Sequence, residues 1–515
     1  MFGLFDSILS KLCGWLEAVV EVTSSSDLYV KLVYIKYWLV IQLDLLRIKL
    51  EREILLRPAT EPANEALRSC GMKPAADDSA LSGGYVGSVR KVKIEPIGED
   101  EQPDSVVVKS VPEVFKARMF AGMFGTSERE GRFYAEIGAA LPVPIPKVYL
   151  SQWNRARGSE VIIMQNIGGG SLTEALRTDQ NPQKLVEEAM VVAARFHGKY
   201  WGATPSTLRH SPLGQYSWLK GWDYVQGQHE AMFKYYKGVI ADMWRKVREA
   251  ITIGKAAERK YDCKWSRELV AFIDEAVKNA TWETYQKALR ERKHLLTLVH
   301  GDYHAGNQLW DTEAKKPYTV DWSDVSVGEG PADIAQFCIS NVKTDDRRKW
   351  EDELLRAYWD ELEKQGVDHS SYTLPMCREA YVRGGIDRWV QLLILMAVYG
   401  LDHPDILPDS FMQYFIDQVG DFIFDHKDEY EAPYLLTITY DAPWKNSPTT
   451  ANRNHPRTPT TRPEKFLRAL SACSLWAKTC NEDPSADAAA LYGLPTLMPE
   501  RNGQKRGRGG SGGIY

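Results

Sequence analysis

Apolar residues recur at spacings of three and four from the start of the chain. Phe2, Phe5, Leu9, Leu12, Leu16 and Val19 line one side of a predicted helix over residues 1–22. A second helical pattern runs from Asp27 to Arg57, but its longest uncharged run, Tyr37 to Leu43, is far short of the ~20 residues a membrane span requires. Residues 58–80 are rich in Pro, Ala, Asn and Asp and read as a linker. The pattern then predicts strands over 85–94 and 105–109, a helix over 113–140 and a strand over 161–165 that leads into Gly168–Gly170. Residues 81–170 therefore form a predicted small α+β lobe. From Ser171 to Lys293 the pattern is helical and aromatic-rich. Three short strands follow (295–300, 307–310, 318–322), and helices resume over 333–429, so 171–440 is a larger, mainly helical lobe. Residues 441–515 are polar, dotted with proline and end in a basic glycine-rich run, which predicts a mostly disordered tail.

With 64 Lys+Arg against 69 Asp+Glu the chain carries a net charge of -5, which argues against nucleic acid as a principal partner. The seven cysteines are scattered and never spaced as a CxxC pair, so a reducing, cytoplasmic setting is expected. Asp6, Lys11 and Glu17 interrupt the first apolar run and no basic segment precedes it, so a cleaved secretory signal is not expected. Residues 1–57 have as many acids as bases. They read as an extension packed on the main domain, with peripheral membrane contact as the alternative.

The densest set of reactive side chains is His300-Gly301-Asp302-Tyr303-His304-Ala305-Gly306-Asn307, between two apolar strands, with Asp321 ending the next strand. Phosphoryl transfer from a nucleotide needs a carboxylate to orient the attacking hydroxyl and oxygen ligands to hold Mg²⁺ across the phosphates. Asp302, Asn307 five residues on, and Asp321 supply such a set. A competing reading notes that His300, Asp302 and His304 alternate. On an extended strand they would share one face and suit zinc.

HGDYHAGN followed by VDW resembles the aminoglycoside phosphotransferase and choline kinase superfamily, and the small lobe is similar to that of the ecdysteroid kinase-like small-molecule kinases. The resemblance spans about residues 75–430. It implies an α+β, bilobal protein-kinase-like fold, with a β-rich N-lobe and a large helical C-lobe behind the helical N-terminal extension. It further implies Asp302 as catalytic base, Asn307 and Asp321 as Mg²⁺ ligands, and Asp333 as a brace for the loop, with His300 and His304 supporting it.

Upstream, Ser82-Gly83-Gly84-Tyr85-Val86-Gly87-Ser88-Val89 fits a glycine-rich phosphate loop except for Ser82, and Gly84 and Gly87 would let main-chain amides approach ATP. Lys109 ends a strand 22 residues after Gly87 and suits contact with the α and β phosphates. Glu130 is open to two readings: by resemblance it pairs with Lys109, yet Ser127-Glu128-Arg129-Glu130 is also a capping box in which it serves only the helix start. Gln165-Asn166 stand where the family commonly has an acid pair, which leaves ATP against GTP open. The 172 positions from Glu130 to Asp302 exceed what a protein kinase uses there and favour a pocket for a small-molecule acceptor. Ten Tyr, Trp and Phe residues between Tyr200 and Trp244 are either core or an aromatic cradle for that acceptor. A catalytically impaired kinase-like binding module and a membrane-surface scaffold are the rival readings.

Overall fold

The computed structural model describes residues 9–16, 27–55, 61–80, 88–95, 103–253, 255–256, 259–291 and 295–430. Gly84, Gly87 and the tail from 441 onward lie outside these residues.

The N-lobe is a five-stranded antiparallel sheet of β1 (Lys73–Ala80), β2 (Ser88–Glu95), β3 (Ser105–Ser110), β4 (Val148–Asn154) and β5 (Ser159–Gln165), in the order β1-β2-β3-β5-β4. Val92 and Ile94 of β2 and Val106 and Val108 of β3, two apart on each strand, are buried on one face of the sheet, while Val107 packs on the other. β4 was not anticipated. It is the edge strand and most of its side chains are half-buried or exposed, so it carries no apolar alternation. The predicted linker is corrected as well: residues 58–80 contain helix α3 (Glu61–Ser69) and strand β1. Ala63, Ala66 and Leu67 of α3 pack on Val92, Ile94, Val106, Val108 and Ile163 and close one face of the sheet. Its short apolar stripe was masked by flanking Pro and Asp. On the other face lie α4 (Phe115–Phe124) and α5 (Thr126–Arg132), continued by a π-helical turn over Phe133–Ile137.

The N-terminal extension packs on the protein. Helix α1 (residues 9–16) sets Leu9 and Leu16 against Val40 of α2 (Asp27–Leu55). Asp44 of α2, 1% exposed, meets Arg118 of α4 at 2.8 Å, Arg47 at 3.1 Å and Arg157 at 3.4 Å. At its other end Tyr29 stacks on His229 of the helical region, with ring centroids 5.3 Å apart. No helix among the described residues is long and apolar enough to cross a membrane.

The C-lobe is mainly helical: α6 (Leu172–Thr178), α7 (Pro182–Lys199), α8 (Trp222–Val225), α9 (Glu230–Ile253), α10 (Arg267–Asn279), α11 (Trp282–Glu291), α12 (Pro331–Asn341), α13 (Thr344–Lys364), α14 (Leu374–Asp402) and α15 (Asp409–His426). Of the aromatics between 200 and 244, Tyr200, Tyr216, Trp222, Tyr224, Phe233, Tyr236 and Trp244 are buried in hydrophobic clusters, so most of that stretch is core. A hairpin of β7 (Lys255–Ala256) and β8 (Arg259–Lys260) follows α9, and two further small antiparallel sheets flank the His300–Asn307 loop. β6 (Gly170–Ser171), β10 (Gln308–Asp311) and β11 (Lys316–Thr319) form one, and β9 (Thr297–Val299) with β12 (Ser326–Gly328) forms the other. The loop from His300 to Asn307 runs between them.

Candidate active site

After β9 the chain turns through Gly301, whose φ of +79° favours glycine. A methyl group there would also run into the main chain of Asp324. Asp333, in the first turn of α12, accepts from His300 N at 2.7 Å and Gly301 N at 3.0 Å, and His197 Nε2 lies 3.2 Å from the same carboxylate. Burial works against the Asp333 charge, but the His197 hydrogen bond and the two histidines outweigh it and hold its pKa below the usual carboxylate value. Asp302 N donates to His300 Nδ1 at 3.2 Å, which puts the ring proton on Nε2, 3.0 Å from Val320 O. Burial lowers the His300 pKa and keeps the ring neutral. Both of its nitrogens are engaged and the segment is a turn rather than a strand, so the one-face arrangement behind the zinc reading does not form.

The turn brings the loop's polar groups together. Asn307 Nδ2 donates to Asp302 O at 3.0 Å and lies 3.4 Å from Asp302 Oδ2, which leaves Asn307 Oδ1 as the atom available to a cation. His304 Nδ1 accepts from Gly306 N at 3.0 Å, and its Nε2 is 3.6 Å from Asp302 Oδ2. On the other carboxylate oxygen of Asp302, Gln336 Nε2 donates at 2.6 Å and Arg388 Nη2 at 3.4 Å. Burial raises the cost of the Asp302 charge, yet His304 and Arg388 overcome it and hold this carboxyl well below the usual range.

Asp321 is a non-glycine residue at φ 61° and ψ 64°, a left-handed conformation costing on the order of 1–2 kcal/mol. Its neighbour Trp322 anchors the turn: it is fully buried, stacks on Phe133 at 4.0 Å and 10°, and packs edge-on to Phe196. Asp321 Oδ1 then reaches Lys109 Nζ at 2.8 Å, and Glu130 Oε2 meets the same ammonium at 2.7 Å. The capping box does not form. The N-cap of α5 is Gly125, Ser127 Oγ is buried without a cap bond, and Glu130 sits in the middle of the helix. Burial opposes the Lys109 charge, but Asp321, Glu130 and Glu160 outweigh it and raise its pKa well above the ordinary lysine value. One ammonium cannot satisfy several carboxylates. Burial accordingly raises Glu130 to about 7 despite the ion pair.

The profile of the phosphotransferase enzyme family matches residues 93–366, more than half of the chain, and spans Lys109, Glu130, Asp302, Asn307, Asp321 and Asp333. The chain belongs to this family. Solved structures to which this phosphotransferase is similar include Plasmodium vivax ethanolamine kinase, with 11% identity, 69% of this chain and 84% of that chain covered, and a TM-score of 0.41. Another is a macrolide 2'-phosphotransferase type I, with 14% identity, 70% and 96% covered, and a TM-score of 0.37. A third is an ADP-bound aminoglycoside phosphotransferase APH(2'')-Ib, with 13% identity, 70% and 99% covered, and a TM-score of 0.37. None of the curated proteins compared matches the chain.

Sequence reasoning missed four groups around this candidate site. His197, Gln336 and Arg388 reach the loop from α7, α12 and α14, and Arg388 lies beyond the family match. Each lies in a buried, largely apolar stretch of its helix, where a polar residue is indistinguishable in sequence from a satisfied core residue. Glu160, on β5, is the fourth. Arg129 adds a tie between α5 and the Asp321 turn, donating from Nε to Ser323 O at 2.9 Å.

Proposed function

We propose that the chain is an ATP- and Mg²⁺-dependent phosphotransferase that phosphorylates a hydroxyl of a small molecule. The observation that carries the reading is the convergence, from separate lobes, of the Lys109–Glu130 pair and Asp321 with the loop that holds Asp302 and Asn307.

Asp302 is the proposed base. Its Oδ1 is occupied by Gln336 and Arg388, so Oδ2 is the atom that faces an acceptor hydroxyl. A carboxylate held this far below its ordinary pKa orients the hydroxyl and receives its proton late. The acceptor oxygen bonds to phosphorus as the bond to the departing ADP oxygen breaks. Lys109, fixed by Glu130, is assigned to the nucleotide phosphates, and the sequence pattern assigns the main-chain amides at Gly84 and Gly87 to the same phosphates. Asn307 Oδ1 and the Asp321 carboxylate, whose side chain is 36% exposed, are hard oxygen donors that fit Mg²⁺. When bound, Mg²⁺ would neutralise charge on the phosphates. His300, His304 and Asp333 keep the loop in place. We assign residues 61–170 to the small lobe, which starts earlier than the expected 81 because α3 and β1 belong to its sheet, and residues 171–430 to the large one, with a cytoplasmic location and a small hydroxyl compound rather than nucleic acid as acceptor.

A metabolite extract incubated with the protein and ATP is expected to yield one species heavier by a phosphate. Asp302→Asn should abolish that product, since a positioned base contributes about 10²–10⁴ in rate, while calorimetric nucleotide affinity stays within about threefold. Retention of a tenth of wild-type turnover in Asp302→Asn overturns the base. Nucleotide binding without any turnover of the wild type would instead mark a binding module.

A further inference from the structure

Behind the Lys109–Glu130 pair lies a carboxyl that no step above uses. On the sheet, Lys109 opposes Ile162, and Val111 N donates to Glu160 O at 3.3 Å. Residues two apart on a strand share a face, so Glu160 stands on the Lys109 face of the sheet, one position along the diagonal. Helix α5 covers that face and brings Glu130 to it. Glu160 is 5% exposed, and a main-chain hydrogen bond from Gly131 of α5 reaches its carboxyl. Its Oε1 is buried and meets no hydrogen-bonding atom among the described residues, and the same holds for Glu130 Oε1, Tyr134 Oη and Ser127 Oγ.

The titratable groups facing Glu160 are Lys109 from β3, Glu130 from α5, Tyr134 from the π-helical turn and Asp321 from the turn after β11. One ammonium thus stands among three carboxyls, and it already contacts two of them, Glu130 and Asp321. A third ionised carboxylate in this dry layer would have no counter-charge of its own, and an unpaired buried charge costs several kcal/mol. Carboxyls crowded in this way resolve the conflict by keeping a proton.

We propose that Glu160 is a positioning residue for Lys109: a carboxylic acid that stays protonated behind the ion pair. Glu130, whose own carboxyl is raised to about 7, is then the buried counter-charge of Lys109 once it ionises, and the side of the ammonium toward Asp321 is left for phosphate oxygens. The proposal rests on Lys109 being the phosphate-binding lysine. Burial, reinforced by Glu130, raises the Glu160 carboxyl well above its usual value. As pH rises Glu160 ionises, competes for Lys109 and draws it back from the phosphates.

A carboxyl whose folded pKa lies above its unfolded one supplies stability that is present at low pH and lost as pH rises through the folded value. Glu160→Gln has the shape of the neutral acid and cannot ionise. Thermal melts of the full chain without nucleotide, from pH 4 to 9, should show the two proteins unfolding together at pH 4, below the unfolded carboxyl value, and Glu160→Gln unfolding at a progressively higher temperature than the wild type as pH rises. ADP affinity by calorimetry should fall about tenfold per coupled pH unit on the alkaline side in the wild type and stay flat in Glu160→Gln. Glu160→Met, apolar and of similar length, should reproduce the flat affinity profile if the amide variant does not fold. Parallel melts at every pH, or an unchanged alkaline fall in both variants, overturn the proposal. Lys109→Met separates the two ideas. If it leaves ADP affinity unchanged, the lysine assignment and the proposal both fall; if it lowers affinity while the melts stay parallel, only the Glu160 proposal falls.

Discussion

Replacing Asp333 with asparagine tests how the His300–Asn307 loop is held. The carboxylate is 3% exposed and uses both oxygens: Oδ2 accepts from His300 N and faces His197 Nε2, and Oδ1 accepts from Gly301 N. Asparagine keeps one oxygen. Placed toward His300 and His197, it retains two bonds without charge assistance, each weaker by about 1 kcal/mol. Its amide group then faces Gly301 N–H, a donor against a donor, and a buried unsatisfied group costs about 1–3 kcal/mol. The expected loss is about 3–5 kcal/mol, measurable by urea unfolding at pH 7. Acid should close the gap. The folded pKa of Asp333 is depressed, so its contribution is present above the unfolded value near 4 and is lost as pH falls through the folded value. Turnover should fall about 10²-fold, because displacement of Gly301 by about 1 Å carries Asp302 with it. A loss under 1 kcal/mol, or a gap that persists unchanged to pH 3, would refute the charge-assisted brace.

Gly301→Ala should unfold at lower urea and lose most activity, since the methyl group meets the Asp324 main chain at a φ that already disfavours alanine. Glu130→Gln should lower kcat/KM by about 10²-fold, and combining it with Lys109→Met should add little, because residues acting as a unit are non-additive. Full additivity in that double-mutant cycle would break the pair. Asp44→Ala strands the buried Arg118 and should cost about 3–5 kcal/mol in urea unfolding, whereas a loosely attached extension would show no change.

The HGDYHAGN motif with Asp321 was legible because its chemistry is local. Asp302 and Asn307 lie five residues apart on one turn, and the Asn307–Asp302 main-chain bond closes over that spacing. The lobes were legible for a similar reason: alternation in β2 and β3 and the helical period of 333–429 are short-range patterns. Residues 58–80 were not, because the apolar stripe of α3 is too short to stand out from linker composition until the sheet face it covers exists. Glu130 satisfied two local rules at once, and only the approach of Lys109 from another element decided between them. His197, Gln336 and Arg388 converge on the loop from three helices, Arg388 from 86 positions beyond Asp302. Glu160 acquires meaning only from sheet register, which sets it diagonal to Lys109. Spacing along the chain could name the groups that contact each other within a turn. The charge balance around them depends on burial and on which distant side chains share the same low-dielectric space, and those follow from how the lobes pack.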